Sequence, residues 1–183
     1  MARKRRGLAF LLLGVLLLLT AGGWYAYNLL EDATAGERAA GFLKQLEEIP
    51  PTDGEAAVIV DSEAFCGRII IDRLKVALPV YDGWDYARLK TAPCRYTGAA
   101  ATNDLIIAAH NYRSHFGALD TLQEGDAVRF VDAGGTEHRY AVRRVISLDG
   151  TAVSDMQAGG WDLTLFTCTK SGKQRVTVRC ERQ

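Results

Sequence analysis

From Leu8 to Leu30 the chain carries no Asp, Glu, Lys or Arg. As a helix rising about 1.5 Å per residue, that run reaches across roughly 30 Å of hydrocarbon, and a soluble fold has no surface on which to place it. Residues 8–30 are therefore expected to form a transmembrane helix behind a basic cytoplasmic segment, residues 1–7, that holds Arg3, Lys4, Arg5 and Arg6. Trp24, Tyr25 and Tyr27 stand at the far end of the run, where amphipathic rings favour the membrane interface. Basic flanks stay on the cytoplasmic side, so the expectation is a single-pass protein of the cell membrane, touching lipid through this helix, with everything after Glu31 extracellular. A cleavable signal peptide is the competing reading, since Thr20-Ala21-Gly22-Gly23 places small residues behind an apolar core. The continuation of the apolar run to the aromatics favours a retained anchor, and both readings export the remainder of the chain.

The balance of 22 basic and 22 acidic residues hides an asymmetry. With the four N-terminal cations set aside, 18 basic side chains face 22 acidic ones, so the exported part carries a net charge of about −4. Such a surface has no basic tract for gripping phosphates, and nucleic acid is excluded as a partner. Four cysteines, Cys66, Cys94, Cys168 and Cys180, show no CxxC pair and no close histidine, so no structural zinc is expected, and with no acidic run resembling a calcium-binding loop no other metal or cofactor is expected either.

Residues 31–54 read as a juxtamembrane helix and linker. Phe42, Leu43, Leu46 and Ile49 fall on one helical face, Pro50-Pro51 stops the helix, and Thr52-Asp53-Gly54 turns the chain. Residues 55–183 lose the helical period and show short β-branched runs instead. Strands are expected at 67–71, 76–80, 104–109, 127–132, 137–148, 163–168 and 175–180, with a hairpin connection at Ala133-Gly134-Gly135. A short helix is expected near Trp84 to Leu89 and a tight turn near Phe116 to Leu122. Seven or more antiparallel-looking strands in so short a domain cover their edges most completely by closing into a barrel, so the fold class is all-β.

Two of these strand patterns end on chemistry. His110 closes Leu105-Ile106-Ile107-Ala108-Ala109, and Cys168 closes Leu163-Thr164-Leu165-Phe166-Thr167. A thiolate attacks carbonyl carbon, and an imidazole takes up a proton and returns it to a leaving amine. Arg175 follows Cys168 after a span short enough to reverse the chain, and a guanidinium there is suited to an oxyanion and to holding a thiolate. Spacing alone leaves a core thiol, a structural histidine and an exposed arginine as the simpler accounts.

The segments Leu163-Thr164-Leu165-Phe166-Thr167-Cys168 and Arg175-Val176-Thr177-Val178-Arg179 resemble the TLxTC motif and arginine-bearing strand of the sortases of Gram-positive cell surfaces. Ala109-His110-Asn111-Tyr112, His115-Phe116-Gly117 and Leu122-Gln123-Glu124-Gly125-Asp126 resemble the region of that family's histidine. The flavour is of class B, with a minor class such as D open. The resemblance implies a closed eight-stranded β-barrel with short helices. It also implies a cysteine transpeptidase that cleaves an LPxTG-like C-terminal sorting signal through a thioacyl intermediate on Cys168. His110 is then the general acid and base, and Arg175 stabilises the oxyanion or substrate, with Arg179 its rival. Thr167, Asn111, Tyr112 and His115 are substrate-positioning candidates, and Trp84, Trp161 and Tyr112 are candidate walls for a Leu-Pro segment. The implied partners are surface proteins or pilins bearing a sorting signal, and an amine from a cell-wall precursor or a pilin lysine. A hydrolysing cysteine protease and a non-catalytic surface-binding barrel are the competing functions. No carboxylate is assigned as the orienter of His110: Asp104, Asp120 and Asp162 are the candidates, with a surface or turn role as the simpler account of each.

Overall fold

The computed structural model describes residues 2–52 and 56–183 and divides into two units, one ending at Thr34 and the other running Ala35–Gln183. The turn read at Asp53-Gly54 lies outside the described residues.

The apolar run and the juxtamembrane segment form one helix, α1 (Ala2–Glu48), where the sequence reading separates two. Alanine, leucine and glutamate are strong helix formers, and no proline interrupts them. The helix stops two residues before Pro50, because the residue preceding a proline is driven out of the helical region. In the first unit Leu18 and Trp24 are about three-quarters exposed, and the helix is long and apolar enough to cross a membrane by length and composition.

The second unit holds the last turns of α1 and a barrel. Its strands are β1 (Val58–Val60), β2 (Glu63–Ile71), β3 (Val76–Tyr81), β4 (Cys94–Thr97), β5 (Leu105–Ala108), β6 (Ala127–Asp132), β7 (Glu137–Asp149), β8 (Leu163–Cys168) and β9 (Gln174–Arg182), with a short helix α2 (Val153–Gln157) between β7 and β8. Eight of them close in the order β2-β3-β4-β5-β8-β9-β7-β6, and β6 returns to β2. The expected eight-stranded barrel is thus present, with β1 added. It pairs with β2 at Glu63–Phe65, on the edge that β6 takes from Gly67 onward.

The changeover between these two partners depends on one glycine. Gly67 has φ +151°, and a Cβ there would fall against the Val131 carbonyl oxygen and within 2.9 Å of the Asp132 Cα. Only a residue without a side chain lets β6 approach there, so the barrel closes at Gly67.

Two pairings, β3–β4 and β5–β8, are parallel rather than antiparallel. Alternation of apolar residues marks a strand but carries no direction. Along β8 the side chains of Leu163 and Leu165 are wholly buried on one face, whereas Thr164, Phe166 and Cys168 share the other. The helical expectation near Trp84 to Leu89 reduces to one 3-10 turn at Arg88–Lys90, started by Asp85, whose carboxylate accepts the Ala87 and Arg88 amides.

In this unit α1 packs on the barrel through small residues. Ala35 and Ala39 are buried, and the Phe42 ring lies 5.2 Å from Phe65 and 6.1 Å from Tyr81. Gly36 sits so near Ser114 that a Cβ on it would come within 2.9 Å of the Ser114 Cβ. The helix therefore backs the loop that connects β5 to β6.

Candidate active site

The register of three strands brings Cys168, Arg175 and His110 to one place. Cys168 and Arg175 are direct cross-strand partners on β8 and β9, so they share a face with Cβ atoms about 5 Å apart. On the other side of β8 the parallel ladder pairs Ala108 with Phe166 and continues through the Ala109 amide, which donates to the Phe166 carbonyl at 3.1 Å. Two residues beyond the Ala108 pairing, His110 comes level with Cys168. Thr167, 3% exposed, fixes this alignment by donating from Oγ1 to the Ala109 carbonyl at 2.8 Å.

The loop after His110 is folded tightly upon itself. The Phe116 amide donates to the His110 carbonyl, and the His115 and Gly117 amides donate to the Tyr112 carbonyl at 3.0 and 2.8 Å. A Cβ on Gly117 would lie only 2.6 Å from that Tyr112 oxygen, so this position admits no side chain without opening the loop. The His110 imidazole is held between two rings: Tyr112 stacks on it at 4.8 Å and 26°, and Tyr86 meets it edge-on at 6.0 Å and 68°. Tyr86, which the sequence reading did not single out, lies in the connection between β3 and β4.

The other positioning candidates separate. Asn111 lines a pocket together with Thr167 and Cys168. His115 is 1% exposed and packs against Tyr112 at 5.4 Å, so it supports the loop from beneath. Of the three carboxylates, Asp104 receives the Ala99 amide and Thr102 hydroxyl, and Asp162 receives the Arg182 amide at 2.7 Å. Both hold turns. Asp120 lines the pocket with Asn111 and Cys168.

Beside the thiol a groove of about 270 Å³ runs over the face that carries Phe166 and Arg175, walled by Trp84, Tyr96, Val153 and Met156. Of the expected wall residues, Trp84 is in place, while Trp161 and Tyr112 do not line this groove. Arg175 Nη1 is buried and meets no hydrogen-bond acceptor among the described residues. Its rival is engaged through both Nη atoms: Arg179 Nη1 donates to the Met156 carbonyl at 2.6 Å and to Thr164 Oγ1 at 2.8 Å, and Nη2 donates to the Asp155 carbonyl at 2.5 Å. Arg179 fastens α2 to the barrel, and burial holds its pKa below the ordinary value. Cys168 is the only partly exposed thiol. Burial pushes Cys66 and Cys180 up to about 12 and Cys94 to about 11, which leaves these three protonated and inert.

A family model described as the sortase domain matches residues 69–183, which includes β5, β8, β9 and all three of these side chains. The chain belongs to the sortase family. Solved structures agree on the fold. Sortase C1 from Streptococcus agalactiae is 24% identical, with 80% of this chain and 86% of that one covered at a TM-score of 0.60. Sortase A from Corynebacterium diphtheriae is 19% identical, with 83% and 84% covered and a TM-score of 0.60. A sortase D5 transpeptidase from Clostridium perfringens is 22% identical, with 76% and 85% covered and a TM-score of 0.57. These three carry different class letters at similar identity, so the likeness is to the architecture that sortases share. No curated protein sequence matches the chain.

Within this sortase the turn from β8 to β9 is five residues, Thr169 to Lys173, closed by the Thr169 amide on the Gln174 carbonyl at 2.9 Å. That tightness keeps Cys168 and Arg175 opposite each other and leaves the thiol accessible from above.

Proposed function

We propose that this sortase is a membrane-anchored cysteine transpeptidase that cleaves an LPxTG-like sorting signal and passes the acyl fragment to an amine. The observation that carries the reading is the pairing of Cys168 with Arg175, whose buried Nη1 has no partner among the described residues, beside a groove lined by Trp84, Tyr96, Val153, Met156 and Phe166.

The Leu-Pro part of the signal packs against Trp84, Tyr96 and Phe166, which places its scissile carbonyl at Cys168. The thiolate attacks, and negative charge grows on the carbonyl oxygen. Arg175 Nη1 supplies the donor for that oxyanion; a donor left without a partner in the resting state strengthens its interaction mainly as the transition state forms. The fixed positive charge also favours the thiolate over the thiol. His110, oriented by Tyr112 and Tyr86, protonates the leaving amine as the C–N bond breaks. It then takes the proton of the incoming amine when the thioester is resolved. Thr167 acts on the reaction through Ala109, by keeping the β5 and β8 ends level.

Residues 8–30 serve as the anchor, with the N-terminus cytoplasmic and residues 55–183 as the extracellular catalytic domain. The basic cluster and the distal aromatics support that orientation.

Intact-mass spectrometry of the protein mixed with LPxTG-like peptides tests the reading. An acyl adduct that is absent from Cys168→Ala and passes to an added amine is the expected outcome. Release of acid alone, with amine present in excess, would make the protein a hydrolase instead.

A further inference from the structure

The rings that wall the groove and the ring that meets the histidine belong to one continuous file. It starts on β8 at Phe166, two residues before Cys168 and on the same face. Phe166 meets Tyr96 of β4 at 5.5 Å and 85°, and Tyr96 meets Trp84 at 6.2 Å and 86°. Trp84 meets Tyr86 at 6.4 Å and 60°, and Tyr86 in turn meets His110. The file therefore joins the strand of the thiol to the imidazole by a route separate from the β5–β8 ladder.

Residues 82–93, between β3 and β4, carry both Trp84 and Tyr86, and this segment is tied down on either side of them. Asp82 pairs with Arg95, and its amide donates to the Ala64 carbonyl at 2.8 Å. Beyond Tyr86, Arg88 pairs with Glu63 at 2.8 Å. Between these ties Trp84 is 48% and Tyr86 63% exposed, so the two rings are steadied by each other and by the neighbouring rings more than by the core. The Tyr86 hydroxyl makes no hydrogen bond among the described residues, so what Tyr86 offers is its ring.

We infer that Trp84 and Tyr86 act as one unit that couples a peptide in the groove to the orientation of His110, which makes Tyr86 a positioning residue for proton transfer. The inference rests on the transpeptidase reading and deepens it. A half-exposed side chain gives up rotamer freedom when a peptide packs on its open face. Trp84 held in this way holds Tyr86, and Tyr86 together with Tyr112 holds the imidazole. Binding energy from substrate side chains remote from the scissile bond is thus spent at the reacting centre, which raises the rate of the chemical step rather than affinity alone. The event that gains is departure of the amine. As the C–S bond forms and the C–N bond breaks, protonated His110 gives its proton to the leaving nitrogen and becomes neutral imidazole.

The leaving group separates this role from a structural one, because a thiolate departs without a proton and an amine does not. The test follows acyl-enzyme formation on the full-length protein by intact mass, at saturating concentrations of an LPxTG-like peptide and of its thioester analogue, identical up to the scissile carbonyl. Tyr86→Ala is expected to slow acylation by the amide about tenfold, a fraction of the roughly 10²–10⁴-fold that a positioned acid supplies, and to leave the thioester reaction within about twofold. Tyr86→Phe, which keeps the ring, should restore the amide reaction. Trp84→Ala should slow the amide reaction too, and the double variant should be no slower than Tyr86→Ala, because residues acting in series do not add. Equal slowing of amide and thioester, an unchanged amide rate in Tyr86→Ala, or losses at Trp84 and Tyr86 that multiply would overturn the inference while leaving the transpeptidase intact. Failure of the unmodified sequence to form an acyl-enzyme with either substrate would instead remove the transpeptidase reading, and this one with it.

Discussion

The β8–β9 ladder has two ends of opposite character. At one end Thr164 and Arg179 face each other, and both Nη atoms of the guanidinium are engaged, by two carbonyls and a hydroxyl. At the other, Cys168 faces Arg175, the thiol is partly exposed and the guanidinium keeps a buried nitrogen without an acceptor. The two arginines are on the same strand and the same face, four residues apart. What differs is whether the protein completes their bonds. One end is finished as structure, and the other is the end at which the proposed substrate would complete them.

Exchanging the ends by mutation should show this. Cys168→Ala is expected to abolish acyl-enzyme formation outright, whereas Cys180→Ala, at the closed end, should leave an adduct detectable by mass. Arg175→Ala should lower kcat/KM by about 10² to 10³, the range for loss of one oxyanion donor, with little change in Tm. Arg179→Ala should do the reverse. It orphans the Met156 and Asp155 carbonyls and is expected to cost about 2–3 kcal/mol of stability, read as a fall in Tm, while most turnover remains. If Arg179→Ala is the inactive variant and Arg175→Ala merely unstable, the roles are exchanged.

The thiols extend the comparison to pH. Cys66 and Cys180, raised from 9.0 to about 12, stay protonated in the folded state while the unfolded chain has begun to ionise. Stability from these groups is therefore complete below pH 9 and is lost as pH rises toward 12, at about 1.4 kcal/mol per pH unit for each thiol. Denaturant midpoints measured across that range should fall, and Cys180→Ala should flatten the slope. The smallest effect is expected at the back of the site. Gly36→Leu pushes on Ser114 and should reduce kcat severalfold with KM nearly unchanged, because the loop that carries His110 moves while the groove does not. Equal activity for this variant would mean that the helix only spaces the barrel.

The parts legible in the sequence were those with local signals. β6 and β8 fall where their apolar runs begin and end, and Cys168 and His110 stand out because each closes such a run. β1 and β4 escaped notice because three or four residues hold no period, and Arg95 and Thr97 interrupt the apolar pattern of β4. The parallel β5–β8 pairing depends on partners far apart in sequence, which no local pattern encodes. Tyr86 was missed for the same reason, since its ring reaches His110 only after β3, β4 and β5 are in place. The fate of Arg179 was likewise invisible until α2 appeared, a helix of five residues with no periodic signal. His115 was grouped with the positioning residues by proximity to His110, yet the tight turn of the loop sends it inward.

The hydrogen bond from Thr167 to Ala109 joins residues 58 positions apart. A contact of that span forms slowly, because a long loop must close before any pairing rewards it. The histidine and the thiol therefore remain strangers through much of folding. Until that contact forms, the proposed nucleophile and its histidine have no shared site, so the activity proposed for Cys168 requires the barrel to be shut.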